Sequence, residues 1–512
     1  MNWKYYISFS ILGFLLLSLV SFLQVTPGYM DAEYYYAMGL RIVNERSLFE
    51  PFIWNYLNGI FSFPQPAFGF WMPLPSFLAA LGLAITGWKG FVGAKIGFLL
   101  MYAFVPPLTM KLAFDLSGEK KAAALAGLVS LFPVFYTSFL GTTDSFGILM
   151  VFGTIFFLLI KDTRKIWKFF LLGLIVGFIH LSRADGLLWL VVAGLSVLAD
   201  PGTKTRAFIL LGAGYLCIMG PWFVRNMIVI GEIMPSGTSR MFWLTEYNDL
   251  FTYYPEKLTI TNWYKRGILV ILRDLLSALS TNLKTALIVE GQIILVPLIG
   301  MGIKKTWKEK TIRYAILIWG LIFFVMTIVF PFAGARGGLF HSGAAIQPVF
   351  WALAVIGLRE IIDWGVRKRG WINGQAEVIF GISLIIFLAG MTTFVVADRV
   401  VGQDFSEPQW NRSFKIAQGI GRELNKMNIP DDSLLMINNP PGLYIATDRS
   451  AIVIPSNGIE SVLAAAEKYS AEILILEENH PVAMDYLYIN PLVEERLDLI
   501  QTVSNVHYFR IR

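Results

Sequence analysis

The chain has 512 residues, of which 55% are hydrophobic, 15% aromatic and only 15% charged. Soluble domains carry about 25% charged residues, so this chain has too few charges to cover a soluble globule of its size. The formal net charge of +6 comes from short Lys and Arg clusters between long apolar runs. The composition therefore predicts a polytopic membrane protein and argues against a nucleic-acid partner.

Apolar runs along the chain predict the membrane crossings. They lie at residues 5–24, 91–113, 122–140, 144–160, 166–181, 186–199, 206–230, 283–303, 311–332, 340–361 and 375–396. The further run at 73–87 is short for a crossing, which takes about 20 residues. We predict a re-entrant or interfacial helix there; the alternative is that the short run at 186–199 does not cross. The sequence thus predicts about 11 to 13 membrane helices.

Basic loops between these runs predict the topology. The strongest lie at residues 161–168, 204–206, 304–313 and 359–369. Because cytoplasmic loops are enriched in Lys and Arg, we place all of them in the cytoplasm. The N-terminus is then also cytoplasmic, whereas Asp31 and everything after residue 397 face the outside of the plasma membrane.

The first long outer loop, residues 24–72, begins with two acids, Asp31 and Glu33, at the start of a helical stretch at 32–46. A carboxylate that is partly desolvated near a membrane surface has a raised pKa, which suits a general base. Capping of the helix would explain the same acids equally well. Trp71 and other aromatics near the end of the loop suit sugar rings or lipid, or simple interfacial anchoring.

Several charged residues fall at the predicted outer ends of the spans. Arginine forks match phosphate oxygens, so a group of them around one cavity would hold a lipid-linked phosphate, whereas each alone could be a snorkelling side chain. The candidates for substrate binding are Lys95, Asp144, Arg183, Asp185, Arg225, Arg336 and His341. No cofactor is predicted. A divalent ion on Asp31 and Asp144 is compatible with oxygen ligands, but no motif requires it.

The composition changes after residue 397, where charges become frequent and apolar runs shrink to strand length. We predict a membrane domain at 1–397, with a second long outer loop at 231–282, and an extracytoplasmic α/β domain at 398–512. The predicted strands are 434–437, 451–454, 473–476, 499–503 and 506–511. Pro440-Pro441-Gly442 predicts a turn, and no glycine-rich loop indicates a nucleotide.

Together these features resemble a polyprenyl-phosphate-sugar-dependent glycosyltransferase of the GT-C fold. The resemblance is to the broad group of protein O-mannosyltransferases (family 39) and lipid A aminoarabinose transferases, and it covers most of residues 1–396. It is carried by the order of these motifs: Asp31-Ala32-Glu33, Trp71-Met72-Pro73-Leu74, Asp144, Ser182-Arg183-Ala184-Asp185-Gly186, Arg225-Asn226, and Arg336-Gly337-Gly338 before His341.

The resemblance implies sugar transfer from a lipid phosphate carrier to a protein, glycan or lipid acceptor on the outer face, usually with inversion. Asp31 is then the expected base, and Glu33 orients it or binds the acceptor. Cations would stabilise the departing phosphate, and the candidates are Lys95, Arg183, Arg225 and Arg336. Many relatives have adjacent Asp and Glu; Ala32 intervenes here, which leaves the role of Glu33 open.

Two other functions compete with this interpretation. A transporter or flippase of lipid-linked glycans would also be polytopic, but it usually has inverted repeats and charges within the membrane. Here the notable charges lie at predicted outer ends, and the long loops share one side. A non-catalytic subunit of an envelope assembly would instead tolerate substitution of Asp31.

Overall fold

The computed structural model describes residues 2–59, 62–88, 90–162, 165–199, 204–235 and 237–512. The chain divides into two compact units, each built from three segments. The helical unit comprises Met1–Val25, Met72–Val224 and Asp274–Trp410. The mixed unit comprises Thr26–Trp71, Arg225–Arg273 and Asn411–Arg512. Both long loops predicted from the sequence therefore contribute to the unit that contains the C-terminal residues.

Most of the described chain is α-helical. The helices up to residue 229 are α1 (Trp3–Phe22), α2 (Met30–Glu45), α3 (Leu74–Thr86), α4 (Phe91–Ala103), α5 (Val105–Ser117), α6 (Lys120–Ser130), α7 (Thr137–Leu140), α8 (Phe146–Ile160), α9 (Lys168–Ser182), α10 (Leu187–Leu198) and α11 (Lys204–Val229). Those that follow are α12 (Gly237–Arg240), α13 (Ile260–Lys265), α14 (Ile268–Lys284), α15 (Leu295–Thr306), α16 (Lys310–Phe324), α17 (Pro331–Ala333), α18 (Leu339–Gly343), α19 (Gln347–Arg369), α20 (Asn373–Val396), α21 (Arg412–Lys426), α22 (Pro440–Thr447), α23 (Ile459–Tyr469) and α24 (Asp485–Ile489).

Apolar helices in the described part of the chain confirm a multi-pass membrane protein. Five are long and apolar enough to cross a membrane: Trp3–Phe22, Phe91–Ser117, Lys204–Val229, Lys310–Val329 and Asn373–Val401. Three more candidates are bent pairs, and shorter apolar helices cover Leu74–Thr86, Phe146–Ile160, Lys168–Ser182 and Ala184–Leu198. Every run predicted from the sequence coincides with one of these helices or bent pairs. The run at 73–87 forms α3, which has 13 residues.

Three predicted spans are bent rather than straight. Lys120–Ser130 and Val134–Leu140 meet at 43°, Ile268–Glu290 and Leu295–Thr306 at 84°, and Pro331–Gly343 and Gln347–Arg369 at 65°. The run predicted at 283–303 is therefore not one straight helix, because it contains the sharpest of these bends. The chain turns between Glu290 and Leu295 because Gln292 and Ile293 adopt left-handed backbone angles, with φ of 44° and 56°. Such angles are incompatible with a continuing right-handed helix.

The mixed unit is built on a six-stranded sheet with the order β2-β5-β4-β6-β8-β7. Its strands are β2 (Phe52–Ile53), β4 (Leu434–Ile437), β5 (Ala451–Val453), β6 (Ala471–Leu476), β7 (Leu497–Val503) and β8 (Val506–Ile511); β1 (Phe49–Glu50) and β3 (Gln65–Pro66) form a separate antiparallel pair. The first four strands of the order run parallel, whereas β8 is antiparallel to both of its neighbours, β6 and β7. This confirms the α/β region predicted at the C-terminus.

Hydrophobic cores cover both faces of this sheet because successive strand side chains point to opposite faces. Met436 and Leu474 belong to the core that includes Val462 of α23. Leu435 belongs to the core that includes Leu443 of α22. The first long loop is part of this architecture, since Phe52 in β2 pairs with Ala451 in β5, and α2 packs against α22.

One local prediction for this region is wrong. Pro440-Pro441-Gly442 is the first turn of α22 rather than a simple turn. Proline is tolerated at the first positions of a helix, where a backbone N–H would have no intrahelical partner, and Asn439 caps this helix end. The five strands predicted between residues 434 and 511 are present, with their ends shifted by up to a few residues.

Candidate active site

The two acids of the first loop lie in the first turn of α2. The N-cap of this helix is Tyr29, in an extended conformation, so Asp31 is not the capping residue. Acidic groups in a first turn interact favourably with the helix dipole, which is the part of the capping interpretation that remains. Asp31 is half-buried, but Glu33 is only 1% exposed. Dipole stabilisation of a surface acid does not account for this burial.

The Glu33 carboxyl group contacts a residue from the other end of the chain. The side-chain amide of Asn439 donates a hydrogen bond to Glu33 Oε2 at 2.7 Å. Among the described residues, Oε1 has no hydrogen-bond partner. Burial raises the pKa of Glu33 to about 7; the Asn439 hydrogen bond opposes this shift and the charge of Asp31 adds to it. Glu33 is thus a buried acid with one oxygen held and one unengaged.

A second buried acid, Glu50, lies nearby in the same unit but is fully engaged. It accepts hydrogen bonds from the Tyr34 hydroxyl, from Gln65 Nε2 at 2.7 Å and from the Phe68 backbone N–H at 3.0 Å. Burial raises the pKa of Glu50 to about 7, although these hydrogen bonds and the charge of Arg225 oppose the shift. Glu50 therefore anchors the first loop.

Arg225 is the sequence-predicted cation that the mixed unit places beside the first loop. Its guanidinium donates hydrogen bonds to the Leu48 carbonyl at 3.3 Å and to Asn226 Oδ1 at 3.1 Å. Its charge interacts with Glu50 and Tyr34. The side chain is half-buried, so it is not a freely snorkelling cation at a surface.

Trp71 belongs to an aromatic cluster within the first loop. Its ring stacks on Trp54 with centroids 3.7 Å apart and an interplanar angle of 14°. The Tyr34 ring lies 4.6 Å from the Trp71 ring. Trp54 is 4% exposed and Tyr34 is fully buried. These contacts fix the two ends of the loop against each other, so packing accounts for much of the aromatic content that the sequence analysis singled out.

In the helical unit, the structure brings together Asp144 and His341. The His341 Nε2 atom lies 3.1 Å from Asp144 Oδ2, and its Nδ1 atom lies 2.9 Å from the Gly337 carbonyl oxygen. The ring of Phe146 stacks on the imidazole at 4.3 Å between centroids. Asp144 is 2% exposed, and its other oxygen accepts a hydrogen bond from the Ser145 hydroxyl at 3.0 Å. This is an oriented acid–imidazole pair in which the acid is buried and the imidazole is half-buried.

Lys95 lies on α4 in the helical unit, and its side chain reaches the C-terminal end of α1. Its ammonium donates hydrogen bonds to the Ser21 and Gln24 carbonyl oxygens at 2.6 and 2.9 Å. The last carbonyls of a helix lack intrahelical partners and attract cations. Gln24 Nε2 in turn donates to the Ser138 carbonyl at 2.6 Å, close to the turn that contains Asp144. These contacts hold the Lys95 ammonium group in place within the helical unit.

The remaining candidates of the helical unit are Arg183, Asp185 and Arg336. Arg183 Nε and Asp185 Oδ1 form an ion pair at 2.9 Å, so the two charges offset each other. Arg336 is exposed and precedes His341 by five residues on the same bent segment.

Two residues of the site escaped the sequence analysis, Asn439 and Glu477. Asn439 follows β4, and Glu477 follows β6. Burial and the charge of Glu33 raise the pKa of Glu477 to about 7. No local pattern marks either residue, because an Asn before two prolines and a Glu after a strand are ordinary loop residues.

No family model matches the chain. No curated protein matches it either. Solved structures, however, share its fold. ArnT from Cupriavidus metallidurans bound to undecaprenyl phosphate is 13% identical, with a TM-score of 0.58, and the match covers 100% of this chain and 98% of that one. In the apo state, ArnT is 14% identical with a TM-score of 0.56, and the match covers 97% of both chains.

A second group of similar structures is archaeal. The oligosaccharyltransferase AglB from Archaeoglobus fulgidus, in complex with an inhibitory peptide and a dolichol-phosphate, is 12% identical with a TM-score of 0.53. This match covers 92% of the present chain and 69% of AglB. The likeness to both groups confirms the GT-C fold predicted from the sequence.

Proposed function

We propose that this protein is an integral membrane glycosyltransferase that transfers a sugar from a polyprenyl-phosphate carrier to an envelope or protein acceptor. The observation that carries the proposal is the fold likeness over the full length of ArnT, whose structure holds undecaprenyl phosphate. AglB, with the same fold, holds a dolichol-phosphate and a peptide. The acidic first loop adds the chemical groups that such a transfer requires.

In the proposed reaction, the Asp31 carboxylate takes the proton of the acceptor hydroxyl. The acceptor oxygen forms a bond to the anomeric carbon while the bond from that carbon to the phosphate oxygen breaks. The electron pair of the broken bond leaves with polyprenyl phosphate. Attack opposite the leaving group inverts the anomeric configuration. Glu33 accepts a second hydrogen bond from the acceptor through Oε1, the oxygen without a partner among the described residues.

Cations complete the proposed mechanism by stabilising the negative charge on the departing phosphate. Arg225 is the strongest candidate because it is half-buried and lies in the same unit as Asp31. Arg336 is exposed, Lys95 and Arg225 donate to carbonyl oxygens, and Arg183 is paired with Asp185. We propose that each of these cations would exchange its present contacts for phosphate in order to act.

The first test is direct transfer by the purified full-length protein in liposomes. Hexosyl and pentosyl donors on undecaprenyl phosphate are supplied with cell-envelope extracts as acceptors, and released undecaprenyl phosphate is measured by mass spectrometry. Loss of a general base costs about 100-fold or more in rate, so Asp31→Asn should lose transfer by at least that factor. Asp432→Asn, which removes an exposed carboxylate of the same unit, should be unaffected.

The outcomes separate the parts of this proposal. Near wild-type turnover by Asp31→Asn would show that Asp31 is not the base, even if the protein is a transferase. Absence of transfer from every donor would count against the function itself. Donor movement across the liposome membrane without transfer would favour the flippase alternative.

A further inference from the structure

The amino end of α22 is aimed at Glu33. Asn439 caps this helix, since its Oδ1 accepts a hydrogen bond from the Gly442 backbone N–H at 3.2 Å. The two prolines that follow Asn439 have no N–H to offer, so Gly442 supplies the first amide of the helix. The other end of the same side-chain amide, Nδ2, donates to Glu33 Oε2. Asn439 therefore links the helix end to the acid of the first loop.

Glycine at position 442 makes this approach sterically feasible. A Cβ atom there would lie 2.4 Å from Asn439 Nδ2 and 2.9 Å from Glu33 Oε2. Both distances are far below a normal van der Waals contact, so any larger residue would displace the amide or the carboxyl group. The Pro-Pro-Gly motif thus leaves space for the Glu33 carboxyl group.

The contact between Asn439 and Glu33 lies where α/β domains usually bind their ligands. β4 lies between β5 and β6, so the connection from β4 to β5 and the one from β5 to β6 run in opposite directions along the sheet. Such domains bind their ligands beyond the carboxyl ends of the strands, where the direction of connection reverses. Asn439 follows β4 and Glu477 follows β6, at that edge. Here the group held at the edge is Glu33.

We propose that Asn439 is a positioning residue for Glu33, and that the ligand-binding edge of the α/β sheet holds an acid of this chain's own active site. The inference rests on the proposed function, in which Glu33 Oε1 binds the acceptor. The amide fixes Oε2 and favours the ionised carboxylate, and this arrangement leaves Oε1 oriented for an acceptor hydroxyl. Two further acids, Asp31 and Glu477, interact electrostatically with Glu33, so a fixed donor is needed to hold it among like charges.

Two substitutions separate positioning from simple helix capping. Serine and aspartate are both good N-caps, so Asn439→Ser and Asn439→Asp should each preserve α22. Serine lacks the amide donor that reaches Glu33, and aspartate puts a carboxylate in its place. Asn438→Ser is the matched control, because Asn438 is the neighbouring residue and equally half-buried.

We expect the transfer assay to rank these variants. A hydrogen bond to a charged group contributes about 1.5 kcal/mol or more, so Asn439→Ser should lower kcat/KM for the acceptor about 10-fold. Asn439→Asp should lower it further, and the pH at which transfer is half-maximal should rise in both variants. Asn438→Ser should match the wild type. In the background of Glu33→Gln, the Asn439→Ser change should cause little additional loss.

Thermal unfolding supplies a readout that does not depend on turnover. At pH 8, the Tm of Asn439→Asp should be lower than that of Asn439→Ser, because Asp at 439 would face Glu33, and Glu33→Gln should restore it. If both variants keep the wild-type kcat/KM, pH profile and Tm, the proposal is overturned. If the wild type shows no transfer but the Tm pattern is present, the positioning contact stands and the proposed function fails.

Discussion

Buried carboxyl groups are the main residue-scale feature of the mixed unit. The pKa of each of Glu33, Glu50 and Glu477 is raised to about 7, chiefly because burial penalises the charged form. Glu50 is compensated by three hydrogen bonds, whereas within the described part of the chain Glu33 accepts one from the Asn439 amide and its Oε1 has no partner. Glu50 therefore suits a structural role, and Glu33 is better placed to accept a ligand.

The raised pKa of Glu50 predicts a pH-dependent stability. Its folded pKa of about 7 exceeds the ordinary value of 4.5, so the folded protein holds this proton more tightly than the unfolded chain. The contribution is fully present below about pH 4.5 and is lost as pH rises toward 7. Glu50→Gln should remove this pH-dependent loss of stability, which is on the order of 3 kcal/mol for Glu50 alone.

Thermal unfolding of the detergent-solubilised protein between pH 5 and pH 8 measures this effect. The Tm of Glu50→Gln should decline less across that range than the wild-type Tm. Some decline should remain, because Glu33 and Glu477 also make the Tm depend on pH. Glu478→Gln, which replaces an exposed carboxylate, should follow the wild type. An unchanged slope in Glu50→Gln would mean that Arg225 and the hydrogen bonds keep Glu50 ionised throughout.

The sequence identified Asp31 and Glu33 because they stand together in a local motif at the start of a predicted loop. It could not identify Asn439, which is separated from Glu33 by 406 positions. A hydrogen bond between such distant residues depends on the packing of α2 against α22, and no periodicity or spacing in one sequence reports that packing. The same limit applies to Glu477.

At the scale of elements, apolar length and alternating patterns predicted nearly every membrane helix and C-terminal strand. The exceptions have specific causes. The bend after Glu290 depends on the left-handed backbone of Gln292 and Ile293, neither of which is a residue that favours that conformation. Strand β2 has only two residues and exists because Ala451 pairs with Phe52. Tertiary pairing, rather than local propensity, determines such a strand.

Because β2 is part of the sheet, we expect substitutions of two phenylalanines in the first loop to have very different effects on stability. Phe52 is fully buried, whereas Phe49 is 42% exposed. Removal of a buried phenylalanine side chain typically costs 3–5 kcal/mol, so Phe52→Ala should destabilise the mixed unit by about that amount. Phe49→Ala should change stability by about 0.5 kcal/mol or less.

Limited proteolysis and Tm measurements on the solubilised protein distinguish these two variants. Phe52→Ala should expose the first loop to cleavage and lower the Tm, and Phe49→Ala should do neither. Equal protease sensitivity in both would indicate that the first loop does not depend on β2 for its place in the sheet.

At the scale of the whole molecule, three separate segments form one compact unit. Thr26–Trp71, Arg225–Arg273 and Asn411–Arg512 each follow or precede apolar helices. Because these segments fold together, we expect the loops they contain to lie on one face of the membrane. The basic loops predict independently that this is the extracytoplasmic face. Compactness thus predicts that the loops share one face, and charge distribution predicts which face it is.

Cysteine labelling tests this topology in full. Cys217 is the single cysteine, so Cys217→Ser gives a cysteine-free background. In intact cells, a membrane-impermeant maleimide should label Asn490→Cys, which lies at an exposed position of the mixed unit. It should label Lys308→Cys, in the basic loop at 304–313, only after the cells are permeabilised. The reverse pattern would put Asp31 in the cytoplasm, and the proposed donor would then have to be used on the inner face.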